Sequence, residues 1–121
     1  MILKPLEAEL SVCKLKELVD CAALGEPCFL GITADEISLV CATDVVPDGV
    51  LAREDGWKAF RVEGTLDFSL IGILARISAI LAAEQIGIFV VSTYNTDYVL
   101  TKAEDFERAL QTLAATGYDV L

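Results

Sequence analysis

The sequence contains no histidine. That absence removes the Ser-His-Asp and Cys-His constellations, the histidine-ligated metal sites and the usual general base near neutral pH. Basic residues are scarce as well: 9 Lys and Arg stand against 19 Asp and Glu, for a formal net charge of −10. Such a chain has no electrostatic footprint for nucleic acid or for an anionic membrane surface. Its glycines match neither G-x-x-x-x-G-K-[ST] nor G-x-G-x-x-G, so no phosphate loop is predicted. The cysteines, Cys13, Cys21, Cys28 and Cys41, form no C-x-x-C pair. Without histidine a tetrahedral zinc site would need all four thiolates at unhelpful spacings, so neither metal nor cofactor is expected. Cys13 and Cys41 sit in apolar strand-like runs and read as buried thiols. All the cysteines fall between residues 13 and 41, which argues against a disulfide framework. Met1–Pro5 has no long apolar core and no small-residue cleavage site, so no signal peptide is expected. The most apolar stretch, Leu66 to Ala83, contains Asp67 and Arg76 and falls short of the ~20 residues that a membrane span needs. A cytoplasmic location is the expectation.

What is present is apolar surface. The 121 residues are 55% hydrophobic with mean hydropathy +0.56. This length suits one ordinary domain or two very small ones, and the composition is far too apolar for disorder. The apolar share exceeds what a chain of this size needs for its core, so a partner subunit is anticipated.

Residues 7 to 15 alternate like a half-buried strand, and Lys16 to Leu24 is helix-compatible up to Gly25 and Pro27. Cys28 to Thr33 and Ile37 to Thr43 flank Ala34-Asp35-Glu36 as a hairpin. Asp44 to Gly56 carries Pro47-Asp48-Gly49 and Glu54-Asp55-Gly56, turn chemistry that marks a linker between units 1–56 and 57–121. Trp57 to Gly64 reads as a strand. Asp67 and Ser69 offer N-caps for a helix running to Gln85. Its stripe is Leu70, Leu74, Ile77 and Leu81, with Gly87 placed as a left-handed C-cap. Ile88 to Tyr94 and Asp97 to Leu100 form a second hairpin about Asn95-Thr96. Thr101-Lys102-Ala103-Glu104 resembles a capping box before a helix whose Phe106, Leu110 and Leu113 share a face. Thr116-Gly117 ends it, and Tyr118 to Leu121 is a last strand. The order over 57–121 is βαββαβ, which closes most simply as one antiparallel sheet with both helices on one face, the ferredoxin-like α+β arrangement. The first unit gives βαββ and then runs out, like a shortened copy.

The run Thr65 to Gly72 leaves a strand and enters a helix, and a helix start suits a carboxylate or phosphate. Ser92-Thr93-Tyr94-Asn95-Thr96-Asp97-Tyr98 places hydroxyls, an amide and a carboxylate at one end of two strands. Together they would receive a zwitterion, with its carboxylate at the helix start and its amine on Asp97. Spacing alone leaves a plainer alternative open. Asp67 and Ser69 serve equally well as caps, and Asn95 and Asp97 as turn residues.

The motifs FSLIGILARIS (68–78) and STYNTDYVL (92–100) give residues 57–121 a resemblance to the ACT domain, and in particular to small bacterial tandem-ACT proteins related to the CASTOR-type amino-acid sensors. The first unit matches more loosely. The resemblance implies a tandem ferredoxin-like fold whose units bind an amino acid at an interface. It also implies a pocket formed by Ser69, Leu70, Ile71 and Gly72 with Thr93, Tyr94, Asn95 and Asp97. Many ACT domains begin this helix with Asp-x-x-Gly, whereas Asp67 lies further upstream of Gly72 and takes no role by that pattern. The reading is of a non-catalytic regulatory protein, a homodimer that binds a free amino acid. The alternative is a dimerisation or interaction module of the same fold with no small-molecule ligand.

Overall fold

The computed structural model describes residues 1–63 and 71–121. In chain order the strands are β1 (Ile2–Pro5), β2 (Leu10–Leu15), β3 (Cys28–Ile32), β4 (Ile37–Ala42), β5 (Ala52–Val62), β6 (Phe89–Ser92), β7 (Asp97–Lys102) and β8 (Asp119–Val120). The helices are α1 (Ile73–Ala83) and α2 (Ala103–Ala115). The chain divides into two units, Ala8–Trp57, and Met1–Glu7 together with Lys58–Leu121. The change of unit falls inside β5, and the first seven residues belong with the second half of the chain.

In the larger unit β5, α1, β6, β7, α2 and β8 follow one another as βαββαβ. The strands lie in the order β6-β7-β5-β1-β8. The place beside β5 goes to β1, which runs antiparallel to it with Leu3 opposite Val62. The final strand β8 pairs parallel with β1 rather than with β5. Leu3, Phe60, Val62 and Val99 form the sheet side of an apolar core; Ile77 and Leu81 of α1 and Phe106, Ala109 and Leu113 of α2 form its helix side. Leu3, Phe60, Val62, Ile77, Leu81, Val99 and Leu113 are fully buried, each worth about 1.5–3 kcal/mol of transfer free energy. The described residues of both stripes, Leu74, Ile77 and Leu81 in α1 and Phe106, Leu110 and Leu113 in α2, therefore lie on the faces the helices bury.

The helix ends differ from the expectation. α1 stops at Glu84, and Gln85, not Gly87, takes the left-handed conformation with φ 58°. The Ile86 amide then bonds the Leu81 carbonyl at 3.0 Å and that of Gln85 bonds Ala82 at 2.9 Å, a Schellman closure. Ile86 is thereby turned into the core. At the other helix, Thr101 does not act in a capping box. It is a fully buried residue of β7, and no side chain caps α2. Gly117, at φ 106°, closes α2 where expected, with the Tyr118 amide on Leu113. The proposed caps Asp67 and Ser69 lie outside the described residues.

The smaller unit has the strand order β3-β4-β2-β5. Short 3₁₀ turns, Cys21–Leu24 and Thr43–Val45, stand where the larger unit has helices. The stretch from Lys16 to Leu24, expected to be helical, forms only the first of these. Nine residues that include Val, Asp and Cys are too few and too poor in helix formers to sustain a helix. Residues 54–56, expected as a turn, lie within β5. Leu10 faces Trp57 and Val12 faces Glu54, so the register shifts between them. This bulge accommodates the extra residue, with Gly56 at φ 83°. The core of this unit is Cys13, Leu15, Leu39 and Cys41. A disulfide joins Cys21 to Cys28, contrary to the expectation of free thiols throughout. Cys13 and Cys41 remain reduced and buried.

Candidate functional site

The start of α1 borders a cleft of about 260 Å³ in the larger unit. Gly72, the N-cap, sits at φ 81° and has no side chain to satisfy the first-turn amides. The helix opens with the Arg76 amide on the Gly72 carbonyl at 2.9 Å. Arg76 therefore lies one turn along, and its side chain lines the same cleft. Its guanidinium carbon stands 5.7 Å from the centre of the buried Tyr118 ring. Among the described residues, Met1, Ile71, Ile73, Thr116 and Gly117 also line it. A Cβ built on Gly72 would meet nothing within 4 Å, so its φ, and not close approach, calls for glycine.

The second hairpin is built from its own hydroxyls. Thr93 closes the turn, its amide on the Thr96 carbonyl at 2.8 Å and its hydroxyl donating to the same oxygen at 3.0 Å. Thr96 points inward and donates to the Val62 carbonyl at 2.7 Å, tying the turn to the end of β5. The Ser92 hydroxyl donates to Asp97 Oδ1 at 2.6 Å. Nearby, Arg61 binds Glu63 at 3.1 and 3.3 Å, and bonds to Glu63 and Tyr98 raise its already high pKa. Tyr94 is 79% exposed at the tip, and Thr93 and Asn95 are exposed beside it.

Of the residues singled out in the sequence, Ile71 and Gly72 line the cleft, and Ile71 is 90% exposed there. Thr93, Tyr94, Asn95 and Asp97 are brought together on the hairpin but do not line it. Ser69 and Leu70 lie outside the described residues. Sequence reasoning missed Arg76, Tyr118 and Met1. The spacing of four between Gly72 and Arg76 was a usable signal, since it puts a cation on the face that continues the helix start. The arrival of Tyr118 and Met1 depends on the pairing of β8 with β1, for which local pattern holds no signal.

Chemically, the Arg76 guanidinium beside a helix start suits an anionic group, a carboxylate above all. Among the described residues no cluster of His, Cys, Asp or Glu is placed to hold a metal ion. Nor is any described helix long and apolar enough to cross a membrane.

Fold and cleft together define a small α+β module of the ligand-binding kind. A family model described as the ACT domain matches residues 52–115, and the chain belongs to that family. Among solved structures, a protein of Agobacterium tumefaciens is 32% identical over 99% of this chain and 91% of its own, with a TM-score of 0.87. The regulatory subunit of aspartate kinase from Thermus thermophilus has the same fold at 12% identity, with TM-score 0.62, covering 91% of this chain and 93% of that one. Aspartate kinase from Clostridium acetobutylicum matches at 17% identity and TM-score 0.65 over 92% of this chain and 33% of its own. No curated protein matches the sequence. The family places the chain among regulatory ligand-binding modules.

Proposed function

We propose that this protein is a non-catalytic sensor that binds a free amino acid at an interface between ACT units and acts through its oligomeric state as a cytoplasmic homodimer. In this reading residues 1–56 are a shortened ACT-like unit and 57–121 the complete one. The strand-to-helix loop takes the ligand carboxylate, and the 92–98 hairpin, supplied across the interface, takes its amine through Asp97. The observation that carries the reading is the cleft at the start of α1, lined by Arg76 together with the left-handed N-cap Gly72. Asp97, whose Oδ1 accepts from Ser92, would offer Oδ2 to an ammonium group.

A thermal-shift screen of the twenty amino acids, followed by calorimetric titration, tests it. A ligand that binds only the folded protein raises its stability by about 2.7 kcal/mol at a hundred times Kd. Arg76→Ala is expected to weaken binding at least tenfold while lowering the melting point of the free protein by no more than a few degrees, the loss of one cation–π contact worth about 0.5–1 kcal/mol. If no amino acid shifts the transition while the protein dimerises with concentration, the interaction-module reading replaces the sensor.

A further inference from the structure

The four cysteines of the smaller unit share one apolar cluster, whose buried members are Cys13 and Cys41 and against which Cys21 and Cys28 pack. Cys28 is bonded to Cys21, with the two Cα atoms 6.1 Å apart. On its other side Cys28 stands directly opposite Cys41 in the β3–β4 ladder. Opposed residues of antiparallel strands point to the same face with Cα atoms about 4.5–5.5 Å apart. That lies inside the span of about 4.4–6.8 Å over which a disulfide closes. Cys13 is placed differently. It faces Leu39, while Ser11 faces Cys41, so Cys13 is diagonal to Cys41 at roughly 7–8 Å, beyond bridging distance.

We propose that Cys28 is the shared centre of an internal thiol–disulfide exchange, with Cys21 and Cys41 as its alternating partners. The Cys41 thiolate attacks Cys28 Sγ. The Cys28–Cys41 bond forms as the Cys21–Cys28 bond breaks, and Cys21 leaves as a thiolate that takes up a proton in place of the one Cys41 released. One disulfide and two thiols are present before and after, so the step needs neither oxidant nor reductant. Its consequence is a change of what is tied to what. The first bond holds the 21–24 turn onto β3; the second staples β3 to β4 and lets that turn, with Leu24, leave the core.

The test is peptide mapping of acid-quenched, alkylated protein. In the wild type held at pH 9, where the small ionised share of Cys41 makes the exchange slow, both Cys21–Cys28 and Cys28–Cys41 peptides are expected to build up over hours, and Cys13→Ser leaves their ratio unchanged. In Cys21→Ser treated with oxidised glutathione, the adduct at Cys28 is expected to resolve into Cys28–Cys41. A stable glutathione adduct at Cys28 in a variant with native circular dichroism overturns the proposal. So does a wild-type sample that holds only Cys21–Cys28 at every time point, whether or not the variant folds.

Discussion

Gly72 opens α1 at φ 81° with open space where a Cβ would stand. Its identity is thus a matter of backbone alone, and a left-handed conformation costs an L-residue about 1–2 kcal/mol. Gly72→Ala is expected to lower the unfolding free energy by about 1 kcal/mol and Gly72→Asn by less, in urea melts; equal losses would contradict a purely conformational role. Thr96 works through its buried hydroxyl, so Thr96→Val leaves the Val62 carbonyl without its donor and is expected to cost about 1–3 kcal/mol. Cys41 governs a pH effect. Burial first, then the neighbouring Cys13, push its thiol from 9.0 up to about 11, with Asp44 adding and Arg53 opposing. The unfolded chain ionises this group near pH 9 while the folded chain still holds the proton. The stability it contributes is complete below pH 9 and is lost as pH rises from about 9 towards about 11. The urea midpoint of the wild type is expected to fall more steeply over that window than that of Cys41→Ala. At this scale Gly117 was legible, because a helix end in the left-handed conformation favours glycine, whereas the left-handed position after α1 fell to Gln85 and not to Gly87. Thr96 was not legible, since only the position of Val62 gives its hydroxyl a task.

The helices and hairpins are where sequence and structure agree most closely. An apolar stripe at helical spacing needs no knowledge of its partner, and Phe106, Leu110 and Leu113 duly face the core. Leu113→Ala is expected to cost about 2–5 kcal/mol, against no more than about 0.5 for Leu18→Ala, which is 62% exposed; chemical denaturation separates the two. Element ends were less legible. Glu84 ends α1 because Ile86 is drawn back into the core and because the Arg108 guanidinium, from α2, reaches the Glu84 carbonyl at 2.8 Å. Thr101 carries the residue types of a capping box beside it, yet burial in β7 overrides them. The 54–56 turn signal was likewise overridden, by the ladder that β5 makes with β2. In each case a local preference worth about 1 kcal/mol gave way to the burial of a whole side chain or the pairing of a whole strand.

For the molecule as a whole, the two units repeat one plan at different levels of completeness. Each has a hairpin whose turn is closed by a threonine, Thr33 onto the Glu36 carbonyl and Thr93 onto that of Thr96. The unit without helices carries the disulfide, which closes a short loop and restricts the unfolded chain. Reduction is expected to lower the denaturation midpoint by the equivalent of about 2–3 kcal/mol, and Cys21→Ser in the absence of reductant by a similar amount. An unchanged midpoint on reduction would mean that the bond adds nothing to stability. The sequence by itself determined the α+β class, the βαββαβ order of the second half, both hairpins and the buried helix faces, because these follow from periodicity and turn chemistry within a few residues. The absence of histidine likewise removes histidine-based sites from this sequence without any coordinates. Only the tertiary structure decided that β1 slips in beside β5, that β8 follows it, that Cys21 meets Cys28, and that Arg76 shares a cleft with Tyr118 and Met1. A strand's pattern states which face is buried and says nothing of which neighbour it will pair with; that choice is made by burial summed over residues far apart in the chain.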